Sequence, residues 1–393
     1  MRIGIFTDSY YPHISGVSTS IEMLKKALEN MGHKVFIVAP SKKYSYDKKE
    51  GIIWIPGFKP GFYEIRVAEI YSRKAMKIIE NEWHLDIIHT QTELSIDIFA
   101  RMVAKKLNIP IVRTYHTLYE DYTGYVTHGH FDNLAKKAVI KLTKKFCEKR
   151  CDELIVPTDK IKKMFNERYD INRDMTVIPT GVDIKRFALT PTMKKKVKEI
   201  KDKYKIKDDD FIIGSVGRVA PEKSFDKIIK NMPDLIKINN KIKFMLIGDG
   251  PILNDLKHMV KEMNLDGNVI FAGLVEYNDM PAYYNTFDIM VSYSTTETQG
   301  LTIIEGLATS LPVVCINDKS FREMIQNNYN GYLFNTKEEF KKHILDLIYD
   351  KDLYKTISMN AKNSTYSYSK EVFASRVLQV YHKAIEKKKL NKE

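Results

Sequence analysis

Short apolar runs rich in isoleucine and valine alternate along the chain with segments whose apolar residues recur every three or four positions. Such runs are typical of parallel strands buried on both faces, and the longer periodicity is typical of helices packed against them. The first series of predicted strands comprises Ile3–Thr7, Lys34–Ala39, Ile52–Ile55, Asp86–His89, Ile111–Tyr115 and Glu153–Val156. The second series comprises Phe211–Val216, Lys243–Ile247, Val269–Ala272, Ile289–Ser292, Pro312–Cys315 and Gly331–Phe334. This alternation predicts an α/β protein with two doubly wound parallel sheets.

The segment from Pro179 to Asp210 separates the two series. It begins with the turn-like sequence PTGVD and continues with a lysine-rich stretch of helical pattern. We therefore predict a first domain over residues 1–178, a second over 179–369, and a helix in 370–393 that crosses back to the first. Two such domains leave a cleft between the carboxyl ends of their strands, where ligands of these folds bind.

Composition narrows the class of protein. The chain has 393 residues, of which 44% are hydrophobic and 29% charged, which fits a globular protein of two to three domains. Three cysteines cannot form a disulfide framework, so we expect a reducing cytoplasm. The sequence has no signal-peptide pattern at its start and no run of about 18 apolar residues, so we expect it to be neither secreted nor membrane-spanning.

The net charge is +13, and most of the basic excess lies in residues 1–210. A basic field attracts nucleic acid, anionic lipid headgroups or an anionic small substrate. Charge alone does not choose among these three.

Two strand-to-helix turns carry candidate phosphate ligands. Gly16 opens a helix after the first strand, and the free N–H groups of such a helix start attract anions by about 0.3 to 1 kcal/mol when exposed. Arg218 and Lys223 follow the strand Phe211–Val216, and these two residue types bind phosphate as a planar fork and as a point charge. An ordinary turn and a solvated basic loop remain the alternatives.

Two glutamates, separated by seven residues, stand in TETQGLTIIEGLATSLPVV. We place Glu297 in the loop after the strand Ile289–Ser292 and Glu305 about one and a half turns into a helix opened by Gly300. Because apolar residues occupy one face of that helix, a carboxylate at 305 needs a partner or a ligand. For isolated glutamates a solvated surface position would be the simpler interpretation.

A tyrosine-rich and histidine-rich loop follows the strand Ile111–Tyr115. His116 stands at the strand end, the best-placed single residue for hydrogen-bonding a polar ligand, whereas His128 and His130 lack the partners of a zinc motif. The acidic run Asp208–Asp210 follows a lysine-rich helix and is more typical of a solvated turn than of a cation site. We predict no protein metal site.

Taken in order, these motifs resemble the group 1 family of retaining glycosyltransferases. The resemblance covers nearly the whole chain and rests on SGV at 15–17, YHT at 115–117, PTGVD at 179–183, GRVAPEKS at 217–224, IGDGP at 247–251 and TETQGLTIIEGLATSLPVV at 296–314. It implies the GT-B fold, in which two Rossmann-like domains face each other across a cleft. It also implies that a sugar moves from a nucleoside diphosphate donor to an acceptor.

The resemblance further implies roles for individual residues. Arg218 and Lys223 would hold the donor diphosphate, and Glu305 would accept hydrogen bonds from the ribose. His116 would contact the transferred sugar, and the loop at Gly16 would lie against the phosphates and the acceptor.

Glu297, with the backbone N–H groups near Gly300 and Leu301, would orient the hydroxyls of the transferred sugar. The reaction expels a diphosphate from an oxocarbenium-like sugar, which mainly requires preorganised positive charge and fixed orientation. Either Glu297 attacks covalently or the leaving phosphate takes the acceptor proton on the same face, and we favour the second.

A narrower resemblance is to bacterial diacylglycerol glucosyltransferases, through TETQG and the stretch HTLYEDYTGY. It implies UDP-glucose as co-substrate, diacylglycerol as acceptor, no tightly bound cofactor with Mg²⁺ as an option, and peripheral binding to the inner face of the cell membrane. Tyr119 and Tyr122 would lie near the acceptor.

A basic helical pattern over residues 131–150 supports a membrane role independently. It carries seven basic and two acidic residues, with Leu134, Ala138, Leu142 and Phe146 on one side. Such a helix can lie among anionic headgroups, at about 1 kcal/mol per lysine near the surface. The lysines assigned to that surface are Lys137, Lys141, Lys144 and Lys145. A core helix with a solvated lysine face is the alternative.

Other functions fit the sequence less well. A glycosyltransferase with a soluble sugar, cyclitol or polysaccharide acceptor keeps the same donor residues. A nucleic-acid-binding module would need clustered aromatics or a recognition signature, which the sequence lacks. A non-catalytic nucleotide-binding protein would be expected to have lost key residues, yet Arg218, Lys223, Glu297 and Glu305 are all present.

Overall fold

The computed structural model describes residues 1–12, 15–59, 66–116 and 132–390. The chain divides into two compact units, one formed by Met1–Gly181 with Lys370–Glu393 and the other by Val182–Ser369. The division falls between Gly181 and Val182, and the final helix belongs to the first unit.

The strands of the first unit are β1 (Arg2–Phe6), β2 (Lys34–Ser41), β3 (Ser45–Asp47), β4 (Ile52–Phe58), β5 (Val67–Ala68), β6 (Ile87–Thr90), β7 (Ile111–Thr114), β8 (Glu153–Val156) and β9 (Thr176–Val177). Those of the second unit are β10 (Phe211–Val216), β11 (Ile242–Ile247), β12 (Val269–Gly273), β13 (Ile289–Ser292), β14 (Val313–Ile316) and β15 (Gly331–Phe334). All twelve predicted strands are confirmed to within a few residues. The short strands β3, β5 and β9 were not predicted because two or three residues carry too little periodicity.

The α-helices of the first unit are α1 (Gly16–Asn30), α2 (Arg73–Ile78), α3 (Ser95–Leu107), α4 (Asp132–Lys149) and α5 (Asp159–Glu167), with α14 (Lys370–Leu390) at the end of the chain. Those of the second unit are α6 (Pro191–Lys203), α7 (Phe225–Ile238), α8 (Leu253–Glu262), α9 (Met280–Tyr284), α10 (Leu301–Ala308), α11 (Lys319–Arg322), α12 (Lys337–Tyr349) and α13 (Lys351–Ser364). Within the described ranges, no helix is long and apolar enough to cross a membrane.

The sheet of the first unit has the order β3-β4-β2-β1-β6-β7-β8-β9, and β5 pairs with β4. Its ladders are parallel except where β3 and β5 pair with β4. One face packs on α1 and α14 through residues such as Ile5 and Leu24. The other packs on α2 and α3 through residues such as Phe6 and Phe99. Both faces are covered, which is why its strands are apolar along their whole length.

The sheet of the second unit has the order β12-β11-β10-β13-β14-β15, and its ladders are parallel. Ile213 and Phe244 lie in the core cluster on one face and Ile212 and Met245 in that on the other. The order reverses direction on either side of β10, so the loops after β10 and β13 leave the same edge at a switch point. The predicted class, α/β with two doubly wound Rossmann-like sheets, is confirmed.

The final helix is anchored to the first sheet by polar contacts as well as by its apolar face. The Tyr381 hydroxyl lies 2.7 Å from Nδ1 of His89. Lys383 and Lys387 both bind the Glu153 carboxylate, at 3.0 and 2.5 Å. These contacts fix α14 against β6 and β8, the neighbours of β7, the strand that precedes His116.

Candidate functional site

Two loops interlock at the carboxyl ends of β10 and β11. The Val219 N–H donates to the Asp249 carbonyl at 2.9 Å. A Cβ on Gly248, whose φ is +140°, would lie 1.9 Å from the carbonyl oxygen of Gly217. Only glycine permits this approach, and the contact fixes the backbone from which Arg218 and Lys223 extend.

Arg218 and Lys223 stand on this loop, where the sequence placed them. Arg218 is exposed, and Lys223 is the last residue of the 3₁₀ turn Pro221–Lys223. The Lys223 Nζ lies 2.5 Å from Oε1 of Glu297, and the two side chains are 24% and 18% exposed. The structure therefore brings together one predicted phosphate ligand and one predicted sugar ligand.

Glu297 is held through its main chain. It lies in the loop between β13 and α10, as predicted, and its carbonyl accepts a hydrogen bond from Ser320 Oγ at 2.6 Å. The Ser320 N–H in turn donates to Asp318 Oδ1 at 2.9 Å. This network positions the backbone of Glu297 while its carboxylate reaches Lys223.

Gly300 directly precedes α10, and its φ of +81° is in the left-handed region. A Cβ there would lie 2.9 Å from the ring of Phe321. The first turn of a helix has N–H groups without intrahelical acceptors, and Leu301 is the first residue of this one. Gly300 and Leu301 thus combine a tight turn with donors that suit an anion or a hydroxyl oxygen.

Glu305 has the partner that its apolar surroundings require. The Tyr284 hydroxyl donates to Glu305 Oε2 at 2.6 Å. Burial raises the pKa of the Glu305 carboxyl, while the Tyr284 hydrogen bond and the charge of Arg186 lower it. The carboxylate is oriented by one protein donor and keeps acceptor capacity for others.

Gly16 is the first residue of α1 in the first unit. Ser15 caps the helix: its Oγ accepts from the Ser18 N–H at 3.1 Å, and the Ser18 Oγ accepts from the Ser15 N–H at 2.7 Å. The protein itself therefore satisfies one first-turn donor, which leaves the N–H groups nearer Gly16 as those available to an anion.

His116 follows β7, and its Nε2 lies 2.6 Å from Oε1 of Gln91. Burial lowers the pKa of His116 to about 4. The imidazole is therefore neutral near pH 7, and it suits hydrogen bonding better than charge stabilisation.

The burial pattern of the basic helix α4 differs in part from the apolar side predicted for it. Ala138 and Leu142 are exposed, and the buried positions include Thr143, Phe146 and Cys147. The predicted apolar side therefore splits, because the core takes the face through Thr143 and Cys147 and leaves Leu142 outside.

The lysines of α4 do not all behave alike. Lys137, Lys141 and Lys145 are exposed, as is Leu142, and we call these three lysines the lysine face. Lys144 instead lies 2.5 Å from Asp170.

Four residues named in the sequence analysis lie outside the described ranges. They are the proposed acceptor residues Tyr119 and Tyr122, and His128 and His130, which were weighed as zinc ligands. Within those ranges no three histidine, cysteine, aspartate or glutamate side chains are placed to hold a metal ion. Asp209 and Asp210 instead contact Lys241 and Lys243.

Comparison with known proteins matches both units to one enzyme class. Residues 196–364 match the family model of the glycosyl transferases group 1, and residues 14–186 match that of glycosyltransferase family 4. An alpha-monoglucosyldiacylglycerol synthase of Acholeplasma laidlawii is 36% identical over the full length of both chains. The chain belongs to the group 1 glycosyltransferases.

A second relative agrees with this assignment. The alpha-monoglucosyldiacylglycerol synthase of Streptococcus pneumoniae is 34% identical, over 98% of this chain and 86% of its own. Among solved structures, HepE of Anabaena in complex with UDP-glucose superposes with a TM-score of 0.72 at 15% identity, over 97% of this chain and 99% of its own. This glycosyltransferase therefore has the GT-B fold of two Rossmann-like domains.

The residues that hold the predicted site residues of this glycosyltransferase in place were not predicted from the sequence. Tyr284 and Gln91 are buried polar residues, each bonded to one predicted site residue. Neither belongs to a recognisable motif, since Tyr284 ends a five-residue helix and Gln91 follows a strand. The only available signal was that a buried Glu305 and a strand-end His116 both need partners.

Sequence reasoning also missed a cavity of about 460 Å³ in the first unit. It lies beside the end of β1, and its lining includes Asp8, Tyr10 and Trp54, with Lys42 and Lys59 among the basic residues. Asp8 is 3% exposed and accepts hydrogen bonds from Ser95 Oγ, Thr92 Oγ1 and the Ile96 N–H. We call this the β1 cavity.

Proposed function

We propose that this glycosyltransferase moves glucose from UDP-glucose, with retention of configuration, to the 3-hydroxyl of 1,2-diacylglycerol at a membrane surface. The observation that carries the proposal is the full-length similarity, at 36% and 34% identity, to two alpha-monoglucosyldiacylglycerol synthases. Glucose is α-linked in UDP-glucose, so an α-glucoside product corresponds to retention.

The second unit supplies the donor site in this proposal. Arg218 and Lys223 bind the diphosphate, and Glu305 accepts hydrogen bonds from the ribose hydroxyls. The interlocked loops, the cationic side chains and the oriented carboxylate of Glu305 support it. They are the preorganised groups needed to stabilise a leaving diphosphate and to fix a nucleoside.

The first unit supplies the acceptor side. The β1 cavity has an aromatic and apolar interior and basic residues in its lining, which suits the glycerol end of a lipid. The lysine face adds exposed positive charge on the same helix as the exposed Leu142, which suits the headgroup region of an anionic membrane. We infer peripheral binding to the inner face of the cell membrane through this face.

The proposed chemistry needs no protein nucleophile. The bond between the anomeric carbon and the phosphate oxygen breaks, and the lipid hydroxyl oxygen bonds to the same face of that carbon. The acceptor proton passes to the leaving phosphate oxygen, whose charge Arg218 and Lys223 stabilise. Glu297 and the N–H groups near Gly300 and Leu301 hold the sugar hydroxyls, and His116 contacts the transferred sugar.

The test is UDP release and glycolipid formation from UDP-glucose by the purified protein in mixed micelles with anionic lipid. We expect release that depends on diacylglycerol and a product whose new linkage is α by NMR. Micelles without diacylglycerol and a Glu305→Ala protein give the two backgrounds.

Two outcomes would contradict the proposal. Slow UDP release that is indifferent to diacylglycerol would keep the donor site and require a soluble acceptor. A β-linked product would contradict retention. Competition with other UDP-hexoses and with GDP-mannose tests the identity of the donor.

A further inference from the structure

The His116 ring has a defined partner on a neighbouring strand. Gln91 follows β6, is 3% exposed and is fixed by its backbone, whose N–H donates to the Phe6 carbonyl at 2.9 Å. Its side-chain Oε1 lies 2.6 Å from His116 Nε2. A buried side chain on a fixed backbone can hold the ring in one orientation.

The atoms of this contact define a tautomer. An amide oxygen only accepts hydrogen bonds, so His116 Nε2 carries the proton that it donates to Gln91. In the neutral ring the other nitrogen, Nδ1, then has no proton and is an acceptor. An acceptor suits a sugar hydroxyl, which has a proton to donate.

We propose that Gln91 is a positioning residue for glycosyl transfer, which holds His116 in the Nε2–H tautomer and thereby presents Nδ1 as an acceptor to a hydroxyl of the transferred sugar. This inference rests on the proposed function, in which His116 contacts that sugar. It adds the residue that sets the direction of the hydrogen bond.

The surroundings favour this assignment. In the described part of the chain the Gln91 Nε2 is buried without a hydrogen-bond partner, so His116 is the partner that the structure gives to this amide. Of the groups near the ring, His89 uses both nitrogens, on Thr114 and Tyr381, and the Arg113 guanidinium contacts Asp97. Among the residues that the structure describes, Gln91 is thus the side chain placed to set the tautomer of His116.

The test uses full-length protein with ¹⁵N-labelled histidine, with the His116 signals assigned by their loss in His116→Asn. In the wild type we expect a pyrrole-type Nε2 and a pyridine-type Nδ1 near pH 7. Gln91→Met keeps the length of the side chain and removes the acceptor, so the signals should shift towards a mixture of tautomers. Gln91→Glu keeps the acceptor, so the pyrrole-type Nε2 should return, with a higher pKa for His116 because a carboxylate stabilises the imidazolium.

Thr90→Val is the matched control. Thr90 is the preceding residue, fully buried, and its Oγ1 has no hydrogen-bond partner in the described part of the chain. This change perturbs the end of β6 but keeps the hydrogen bond between Gln91 and His116. It should leave the His116 signals unchanged.

Kinetic measurements then test whether the orientation of the His116 ring affects glycosyl transfer. Gln91→Met should lower kcat roughly 10- to 100-fold, with KM for UDP-glucose within about threefold of wild type. An Nε2–H tautomer that persists in Gln91→Met would overturn the proposal, and so would an unchanged kcat. Wild-type transfer by His116→Ala would instead contradict the proposed role of His116, and the NMR result distinguishes these failures.

Discussion

Lys223 and Glu297 lie 74 residues apart in the chain, yet their side chains form an ion pair of 2.5 Å. Both side chains are partly exposed, so this pair adds little to stability, on the order of 1 kcal/mol or less. We propose that its role is functional. A lysine proposed to bind diphosphate and a glutamate proposed to bind sugar are thus placed side by side.

The pair predicts that nucleotide binding and transfer respond differently to Glu297→Gln. UDP affinity should stay the same or rise a fewfold, because Lys223 loses a competing carboxylate. The kcat for transfer should fall by about 100-fold or more, since an oriented group at the reacting sugar is lost. Calorimetry with UDP and initial rates measure the two effects.

Lys223→Gln is the companion variant, and it should weaken UDP binding because a phosphate ligand is lost. If Glu297→Gln weakened UDP binding as much as Lys223→Gln does, the separation of roles would be wrong.

The hydroxyl of Tyr284 predicts a second effect on the donor. Tyr284→Phe keeps the ring and removes the donor to Glu305, so UDP affinity should fall about fivefold, equivalent to about 1 kcal/mol. Because burial raises the pKa of Glu305, UDP affinity of the wild type should weaken as pH falls towards that raised value. Titrations of UDP by calorimetry at several pH values measure both effects.

Tyr283→Phe is the matched control for Tyr284→Phe. It removes a neighbouring hydroxyl that interacts with Tyr204 and Lys203 rather than with Glu305. Equal losses of UDP affinity in the two variants would show that the loss is structural.

Much of the fold was predictable because burial on both faces leaves a strong signal. Strands such as Phe211–Val216 and Glu153–Val156 were predicted to the residue, since continuous apolar runs have clear ends. The apolar side of α4 was predicted only as a pattern, because Ala138, Leu142 and Phe146 share one periodicity and yet only Phe146 of these three is buried. Only the tertiary contacts decide between two faces of similar polarity.

The candidate site divides in a similar way. Lys223 and Glu297 stand in motifs whose order in the chain is recognisable, so the sequence alone was enough to propose them as site residues. Tyr284 and Gln91 contact the site from other elements, and their distance in sequence hides the contact. Which residues make such contacts depends on the order of the strands in the sheet, and no local sequence pattern encodes that order.

The buried His89 predicts a loss of stability on the acid side. Burial lowers its pKa to about 3, against 6.5 for an unperturbed histidine. As pH falls below about 6.5, the unfolded chain takes up a proton that the folded chain does not. The free energy of unfolding should therefore fall by up to about 1.4 kcal/mol per pH unit from this residue until the pH nears 3.

His89→Gln should reduce this dependence, because an amide can bond Thr114 and Tyr381 without titrating. Urea unfolding between pH 7.5 and 5 measures it. His382→Gln, at an exposed position, is the control and should leave the slope unchanged. Equal slopes for wild type and His89→Gln would mean that His89 does not resist protonation.

The lysine face predicts a membrane effect that can be separated from net charge. Exchanging Lys137, Lys141 and Lys145 for glutamate should remove most sedimentation with anionic vesicles, at about 1 kcal/mol per lysine for the lost attraction and more from repulsion. Transfer to diacylglycerol dispersed in neutral detergent should remain, because these residues are not proposed to touch the donor. Raising the salt concentration should weaken wild-type vesicle binding in the same direction.

The matched control for the lysine face is the same exchange at Lys194, Lys195 and Lys198, three exposed lysines on α6 in the other unit. It changes the net charge equally, so vesicle binding should persist if the lysine face is the contact surface. Equal losses in the two triple variants would show that total charge, rather than this face, controls binding. If the α4 variant still bound vesicles, the membrane contact would have to lie on another surface.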